Sequence, residues 1–206
     1  VIVLKLIGVL VLVLLNGFFV AAEFALVKIR ETQLHALIVK GHRRAKVARE
    51  VIRNLDATLS ACQVGITLAS LGLGWIGEPV FTAILSPVMT ACGIESEEVR
   101  KTIAFTVGFS AITFLHIVAG EQAPKWMAIQ KPLHTALWVA IPLSIFHKFT
   151  YPFIWILNSS SLWLLRQLGI DPAQEGNVQI SEDELRLLIA TSQRRAGTPL
   201  LGRDIL

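Results

Sequence analysis

Residues 1–22, VIVLKLIGVLVLVLLNGFFVAA, decide the fold class of this chain. The run is apolar apart from Lys5 and Asn16. A helix of about 20 residues spans the roughly 30 Å of hydrocarbon in a bilayer, so the run is long enough for one membrane crossing. A cleavable secretory signal is the alternative, because Val20-Ala21-Ala22 resembles a small-residue cleavage site. Both interpretations direct the chain to a membrane.

The segment that follows the first run is strongly basic. Residues 28–53 contain eight lysines and arginines against two glutamates. Basic segments beside a membrane span tend to stay in the cytoplasm, which favours a retained first helix with its N-terminus outside. We predict a cytoplasmic helical pair over residues 28–55, turned at Gly41. A basic amphipathic pair of this kind can also lie against anionic lipid headgroups.

The composition excludes several classes of protein. Hydrophobic residues make up 53% of the 206 residues and charged residues 17%, with a mean hydropathy of +0.61, whereas a soluble domain carries more charge. The pI is near 9.3, but much of the positive charge lies in one juxtamembrane segment, so nucleic acid is not an expected partner. No nucleophile–base pair or phosphate-binding loop occurs at usable spacing, so an enzyme is not expected.

Two further crossings follow the basic segment. Residues 57–75 form an apolar run that Gly72, Gly74, Gly77 and Pro79 are expected to end. Phe81–Cys92 is too short to span a bilayer comfortably and is expected to be a packed or re-entrant piece. Together with the first span, over about residues 3–27, and a third, over about residues 102–123, this predicts three membrane helices.

The rest of the chain is less regular. Residues 132–168 are apolar but interrupted by Pro142 and Pro152, which fits a belt helix at the membrane surface, a hairpin, or a fourth span followed by an interfacial helix. Residues 169–206 are expected to be a cytoplasmic helical linker, because Ser181 and Glu184 form a capping box at a helix start. The predicted fold is an all-α integral membrane protein, with residues 1–168 as its transmembrane domain.

Polar residues inside the spans are expected to have a structural or functional role, because a charged side chain at the centre of a span costs roughly 2.5–3.5 kcal/mol on insertion scales. Asn16 and Glu23 are seven residues apart and therefore share one face of the first helix. Glu23 lies near the cytoplasmic end, where it could pair with Lys28 or Arg30. The alternative is that Glu23 is a cation ligand or guards an ion pathway.

Polar and small residues, most of them hydroxyl-bearing, recur at helical spacing in the second and third spans. Such residues commonly hold membrane helices together, but two such stripes and two acidic residues also predict a hydrated crevice lined by oxygen atoms. Oxygen ligands suit Mg²⁺ or Ca²⁺. His116, the one soft ligand in the third span, is more typical of a hydrogen-bonded core residue. The stripes are Ser60, Gln63, Thr67, Ser70 and Gly74 in the second span, and Thr102, Thr106, Ser110 and Thr113 in the third.

The stretch GEQAPK, residues 120–125, is the most informative part of the third span. Pro124 has no N–H, so the carbonyl of Gly120 loses its partner in an α-helix. That carbonyl and the Glu121 carboxylate predict an oxygen-rich notch at a helix break, as in transporters whose broken helices line a cavity. Lys125 could neutralise Glu121 when no cation is bound. A simple kink with an ordinary ion pair is the alternative.

Three motifs together resemble the membrane domain of the cyclin M/CorC magnesium-efflux family, whose bacterial members are often hemolysin-like. They are NGFFVAAEFAL over residues 16–26, QVGITLAS over 63–70 leading to GEP at 77–79, and GEQAPK over 120–125. The resemblance covers residues 1–195. It implies three membrane helices, a belt helix, a homodimer, and an acidic linker leading to CBS domains that this chain does not include. Nucleotide binding is therefore not expected of it.

The resemblance also implies a function and a site. Better-known members have Ser near Val20 and Asn near Ile66, so other oxygen donors would have to substitute here. We expect a bacterial inner-membrane transporter, with its C-terminus in the cytoplasm, that exports Mg²⁺ coupled to Na⁺; a Mg²⁺-sensing or regulatory membrane protein is the alternative. The candidate metal ligands are Glu23, Gln63, Thr67, Ser70, Gly120 and Glu121, and the candidate pathway or gating residues are Asn16, Ser110, Thr113, His116, Pro124 and Lys125.

Overall fold

The computed structural model describes residues 2–93 and 96–169, and every regular element in that part of the chain is helical. The predicted all-α architecture is therefore confirmed. We number the helices in chain order and call the one π-helical segment π1. They are α1 (Ile2–Lys28), α2 (Glu31–Val39), α3 (Arg43–Arg53), α4 (Leu55–Ala91), α5 (Glu97–Leu115), π1 (His116–Gln122), α6 (Ala123–Gln130) and α7 (Pro132–Gln167).

The first crossing and the basic helical pair lie where the sequence predicts them. α1 covers the apolar run and ends at Lys28, a cation placed favourably at the negative end of the helix dipole. α2 and α3 form the basic pair, and Gly41 adopts a φ of +81° in the turn between them, a conformation that residues with a Cβ rarely take. Leu34 and Ala48 are buried within the pair.

α4 does not end at its glycines as expected, so the helix extends beyond the predicted second span of residues 57–75. One helix runs from Leu55 to Ala91 with Pro79 and Pro87 inside it, and Phe81–Cys92 is its last part rather than a re-entrant piece. The glycines allow neighbouring helices to pack closely against α4 and do not end it. A Cβ built on Gly77 would lie 2.5 Å from Ile112 Cδ1, and one built on Gly72 would lie 3.3 Å from Leu12.

The third long helical segment also extends beyond its predicted span of residues 102–123. α5 begins at Glu97 rather than at residue 102, and the GEQAPK stretch does not end the helix. The backbone instead widens into π1 and continues as α6 to Gln130. In π1 the N–H of Ala123 donates to the carbonyl of Val118, five residues back, which accommodates Pro124 without interrupting the helix.

α1 is the central helix of the described bundle. It runs antiparallel to α4, since Leu12 meets Gly72 and Phe19 meets Gly65 farther along. On another side it packs against π1 and α6. Close approach of this kind, at glycine and alanine, is how membrane helices associate when lipid tails are as apolar as the side chains.

α7 is a single helix, which excludes the predicted hairpin. The chain divides into two units, residues 1–158 and 159–206, and the structure describes the second only as far as residue 169. Within the first unit, Leu143 belongs to the apolar cluster of Leu26, Val51 and Cys62, while Ile154 packs with Ala61 and Val64. Both clusters lie near the start of α4, so this part of α7 packs at that end of the bundle.

Four helical segments of the described part are long and apolar enough to cross a membrane, and the fourth, Pro132–Gln167, is the predicted belt. The chain is therefore a multi-pass membrane protein embedded in a lipid bilayer. The predicted acidic linker, with the capping box at Ser181 and Glu184, lies outside the described residues.

Candidate functional site

Four polar groups from three helical segments meet in the middle of the bundle. We call them the polar junction: the side chains of Asn16, Ser70 and His116 and the carbonyl of Gly120. Asn16 is 1% exposed, and Ser70 and His116 are half-buried. Polar groups placed this deep in a membrane bundle are costly unless they have partners, and here each one has at least one.

Asn16 binds the carbonyl that Pro124 leaves without an α-helical partner. Its Nδ2 donates to Gly120 O at 2.9 Å, across 104 residues of sequence. The sequence correctly predicts that this carbonyl is available to a ligand from outside the helix. In the structure its partner is an amide, so a cation that uses Gly120 O would have to displace Asn16.

The directions of the hydrogen bonds in the polar junction follow from elementary donor and acceptor rules. A backbone carbonyl only accepts, so the amide nitrogen of Asn16 faces Gly120 and its Oδ1 faces away. Ser70 Oγ donates to that Oδ1 at 3.3 Å. The hydroxyl has no second proton, so at 3.2 Å it accepts from His116 Nε2–H. The chain of donors therefore runs from His116 through Ser70 and Asn16 to Gly120.

The close approach of α1 to π1 depends on Gly17. A Cβ built on Gly17 would lie 2.9 Å from Pro124 Cγ and 3.5 Å from the carbonyl oxygen of Ala119. Any larger residue would push the two segments apart and stretch the bond from Asn16 to Gly120. The sequence did not single out Gly17 as a site residue, although a glycine beside a buried polar residue is typical of a close contact between membrane helices.

Glu23 and Gln63 form a second polar contact along the same pair of helices. Glu23 is half-buried on α1, two turns beyond Asn16, and the polar side chain of Gln63 on α4 lies beside it. Asn16 and Glu23 therefore lie on the same face of α1, as predicted, because both contact polar side chains of α4. The suggested ion pairs of Glu23 with Lys28 or Arg30 are not formed in the described part of the chain.

Glu121 and Lys125 do not pair with each other as suggested. Glu121 is exposed on π1, and the one ion pair among the described residues joins Lys101 to Glu97. Lys125 Nζ lies 4.8 Å from the ring centroid of Phe24 on α1, a cation–π contact. Phe24 was not a predicted site residue. Glu121 is consequently left without a neutralising cation in the described structure.

Most of the hydroxyl stripe residues do not face the polar junction. Gln63 and Thr67 are exposed, Gly74 is exposed, and Thr113 is half-buried. Most hydroxyls bond instead to the carbonyl four residues back in their own helix, a local contact that leaves little for a ligand. Among the described stripe hydroxyls, that of Ser70 bonds to side chains of other helical segments. The hydroxyls bonded within their own helices are those of Ser60, Thr67, Thr102, Thr106 and Ser110.

The described residues contain no group of three or more His, Cys, Asp or Glu side chains that could hold a metal ion. A site for a hard cation in this part of the molecule would therefore draw on amide, hydroxyl and carbonyl oxygens. Asn16, Ser70 and Gly120 supply such oxygens in the polar junction, with Glu121 next in sequence to Gly120. Mg²⁺ keeps several of its waters in proteins, so a few protein oxygens can suffice for it.

Comparison with known proteins identifies the family. A model of the cyclin M transmembrane N-terminal domain matches residues 7–199. The chain is 48% identical over 193 residues to the UPF0053 protein YugS of Bacillus subtilis, covering 94% of this chain and 45% of that protein. It is 47% identical to YhdT of the same organism, and that match covers 88% of this chain and 39% of YhdT. It is 31% identical to MT1890 of Mycobacterium tuberculosis, and that match covers 87% of this chain and 39% of MT1890.

The chain thus spans less than half the length of these relatives. The family model, in contrast, covers nearly all of the chain, including most of α1, the polar junction and α7. On this match the chain belongs to the cyclin M transmembrane N-terminal domain family.

Proposed function

We propose that this chain is the membrane domain of a Mg²⁺ transporter. The observation that carries the proposal is the polar junction, where Asn16 and Ser70 meet a carbonyl that Pro124 leaves without an α-helical partner. Buried oxygen-bearing groups at a widened helix, inside a membrane bundle, are a recurring arrangement at ion sites of transporters. The membership in the cyclin M family and the resemblance to its magnesium-efflux members support the same ion.

The chemistry of the available ligands favours a hard divalent cation. Gly120 O, Asn16 Oδ1 and Ser70 Oγ are neutral oxygens, and the Glu121 carboxylate is the nearest charge in sequence. A cation that takes the Gly120 carbonyl would release Asn16 Nδ2, and rotation of the amide would turn Oδ1 toward the ion. Glu23, Gln63 and Thr67 would then form the next oxygen-bearing level on the cytoplasmic side.

Direction, coupling and assembly are parts of the same proposal. We place the basic α2–α3 pair in the cytoplasm of a bacterial inner-membrane protein with its N-terminus outside, by the positive-inside rule. Export of Mg²⁺ in exchange for Na⁺, by a homodimer, is what the family resemblance implies. Two exposed, stacked aromatic residues on α5, Phe105 and Phe109, supply an apolar face for lipid or for a second copy. Labelling of exposed Cys92 from outside by a membrane-impermeant maleimide would test the orientation.

The Glu121→Gln variant tests the role of the site. The substitution keeps the shape of the side chain but removes its charge, so we expect Mg²⁺ flux through sealed proteoliposomes to fall at least tenfold. Glu97→Gln is the matched control, because Glu97 is an exposed carboxylate in the first turn of α5, paired with Lys101. Its flux should stay within about twofold of the wild type.

Equal flux in the two variants would remove Glu121 from the mechanism. If wild-type protein binds Mg²⁺ but moves none across the liposome membrane, the sensing or regulatory alternative replaces transport.

A further inference from the structure

A polar pocket of about 240 Å³ lies where α3, α4 and α7 meet, away from the polar junction. It is smaller than the roughly 300–1,000 Å³ typical of sites for drug-sized ligands. A group of several heavy atoms would fit it, whereas a whole nucleotide would not. Its polar lining residues are Glu50, Asn54, Thr58, Ser144, His147 and Lys148.

Two opposite charges face this pocket without neutralising each other. Glu50 comes from α3 and Lys148 from α7, and both side chains are exposed. The one ion pair in the described part of the chain is elsewhere, between Lys101 and Glu97. A ligand with a positive group at one end and a negative group at the other could therefore pair with Glu50 and Lys148 at the same time.

The neutral residues of the lining add hydrogen-bond donors. The hydroxyl of Thr58 already donates its hydrogen bond to the carbonyl of Val51. The hydroxyl of Ser144 and the amide of Asn54 are not so committed within the described residues, and His147 Nε2 is buried there without a partner. With Lys148, the Ser144 hydroxyl and the Asn54 amide give the pocket several hydrogen-bond donors, which suit the oxygens of a phosphate group.

The position of the pocket indicates where its ligand comes from. Asn54 immediately precedes α4, one of the helices able to cross a membrane, so the pocket lies at the end of that span. Glu50 belongs to the basic pair, whose exposed cations draw phosphates to this level of the membrane. Clusters of Lys and Arg beside a spanning helix attract the phosphates of lipid headgroups. Those exposed cations are Lys40, Arg43, Arg44, Lys46 and Arg53.

We infer that this pocket binds the headgroup of a phospholipid that carries both a phosphate and a primary ammonium group, the phosphoethanolamine class. The phosphate lies against Lys148, Ser144 and Asn54, and the ammonium group lies against the Glu50 carboxylate. A lipid held there bridges α3, α4 and α7 and fixes the belt helix to the start of the second span. This inference is independent of the ion that the protein moves.

Native mass spectrometry of the purified full chain with phosphatidylethanolamine, phosphatidylcholine and phosphatidylglycerol tests the inference. We expect wild-type protein to retain phosphatidylethanolamine most tightly, because a quaternary ammonium is bulkier and cannot donate to Glu50. Glu50→Gln should weaken phosphatidylethanolamine about tenfold and leave phosphatidylcholine unchanged, whereas Lys148→Gln should weaken all three lipids.

The control variant is Lys40→Gln, which removes an exposed cation of the basic pair that does not line the pocket. It should leave the lipid preference unchanged, and all three variants should melt at the wild-type temperature in detergent. Equal retention of the three lipids by wild-type protein would overturn the inference. So would a loss in Lys40→Gln as large as that in Lys148→Gln.

Discussion

At the scale of single residues, Asn16 is the side chain that connects the three segments of the site. Its Oδ1 accepts a hydrogen bond from Ser70 and its Nδ2 donates one to the carbonyl of Gly120, so its amide is held by groups from α4 and π1 together. The local sequence predicts that Pro124 frees the Gly120 carbonyl, because that effect depends on residues four apart. The local sequence could not predict the partner of this carbonyl, because Asn16 is 104 residues away and the two residues meet only in the folded bundle.

Ser70→Ala tests the connection between these residues. The change leaves His116 Nε2–H without its acceptor and Asn16 Oδ1 without its donor, so we expect the free energy of unfolding in detergent to fall by about 1 kcal/mol. Ser60→Ala is the matched control on the same helix, because the Ser60 hydroxyl bonds only to the Asp56 carbonyl of its own helix.

The control should change stability by less than ~0.5 kcal/mol. A Ser70→Ala variant as stable as Ser60→Ala would mean that the hydrogen bonds of the polar junction contribute nothing measurable to holding the segments together.

At the scale of helices, the sequence predicts those elements whose signals are local. α1 follows from an unbroken apolar run, and the α2–α3 pair follows from clustered cations with a glycine turn. α4 and the third segment were predicted too short, because glycine and proline usually break helices in water. In a membrane bundle, neighbouring helices fill the space beside glycine and local π widening satisfies the backbone around proline. Which neighbouring helix packs against which glycine depends on the tertiary structure, so the local sequence does not reveal it.

The glycines of α4 offer a matched pair of variants. A Cβ at Gly65 would lie 2.5 Å from the ring of Phe19, whereas one at Gly74 has no neighbour within 4 Å. Gly74→Ala should therefore be neutral or gain up to ~1 kcal/mol from helix propensity. Gly65→Ala should be less stable than Gly74→Ala by about 1–3 kcal/mol, because Phe19 is confined by other aromatic rings.

Thermal unfolding of the two variants in the same detergent makes this comparison. Equal melting temperatures would show that α1 and α4 do not approach each other as closely at Phe19 as the structure has them.

At the scale of the whole molecule, a bundle of apolar helices surrounds a few polar contacts along α1. The predicted convergence of acids and hydroxyls is reached only in part: Glu23 meets Gln63 and Asn16 meets Ser70, while Glu121 is exposed and most stripe hydroxyls bond within their own helices. Composition and periodicity identify a membrane protein, since they report burial in lipid. They do not report which polar face turns inward, because that depends on how the helices rotate against one another.

The central claim is that this bundle carries Mg²⁺ across a bilayer, and ion-selective flux through purified protein in sealed liposomes tests it most directly. With gradients of Mg²⁺, Ca²⁺, Co²⁺ and Na⁺ imposed in turn, we expect saturable movement of Mg²⁺, with Ca²⁺ carried more slowly because it is larger and prefers more ligands. Mg²⁺ flux no greater than that of protein-free liposomes, from protein that remains folded, would contradict the claim.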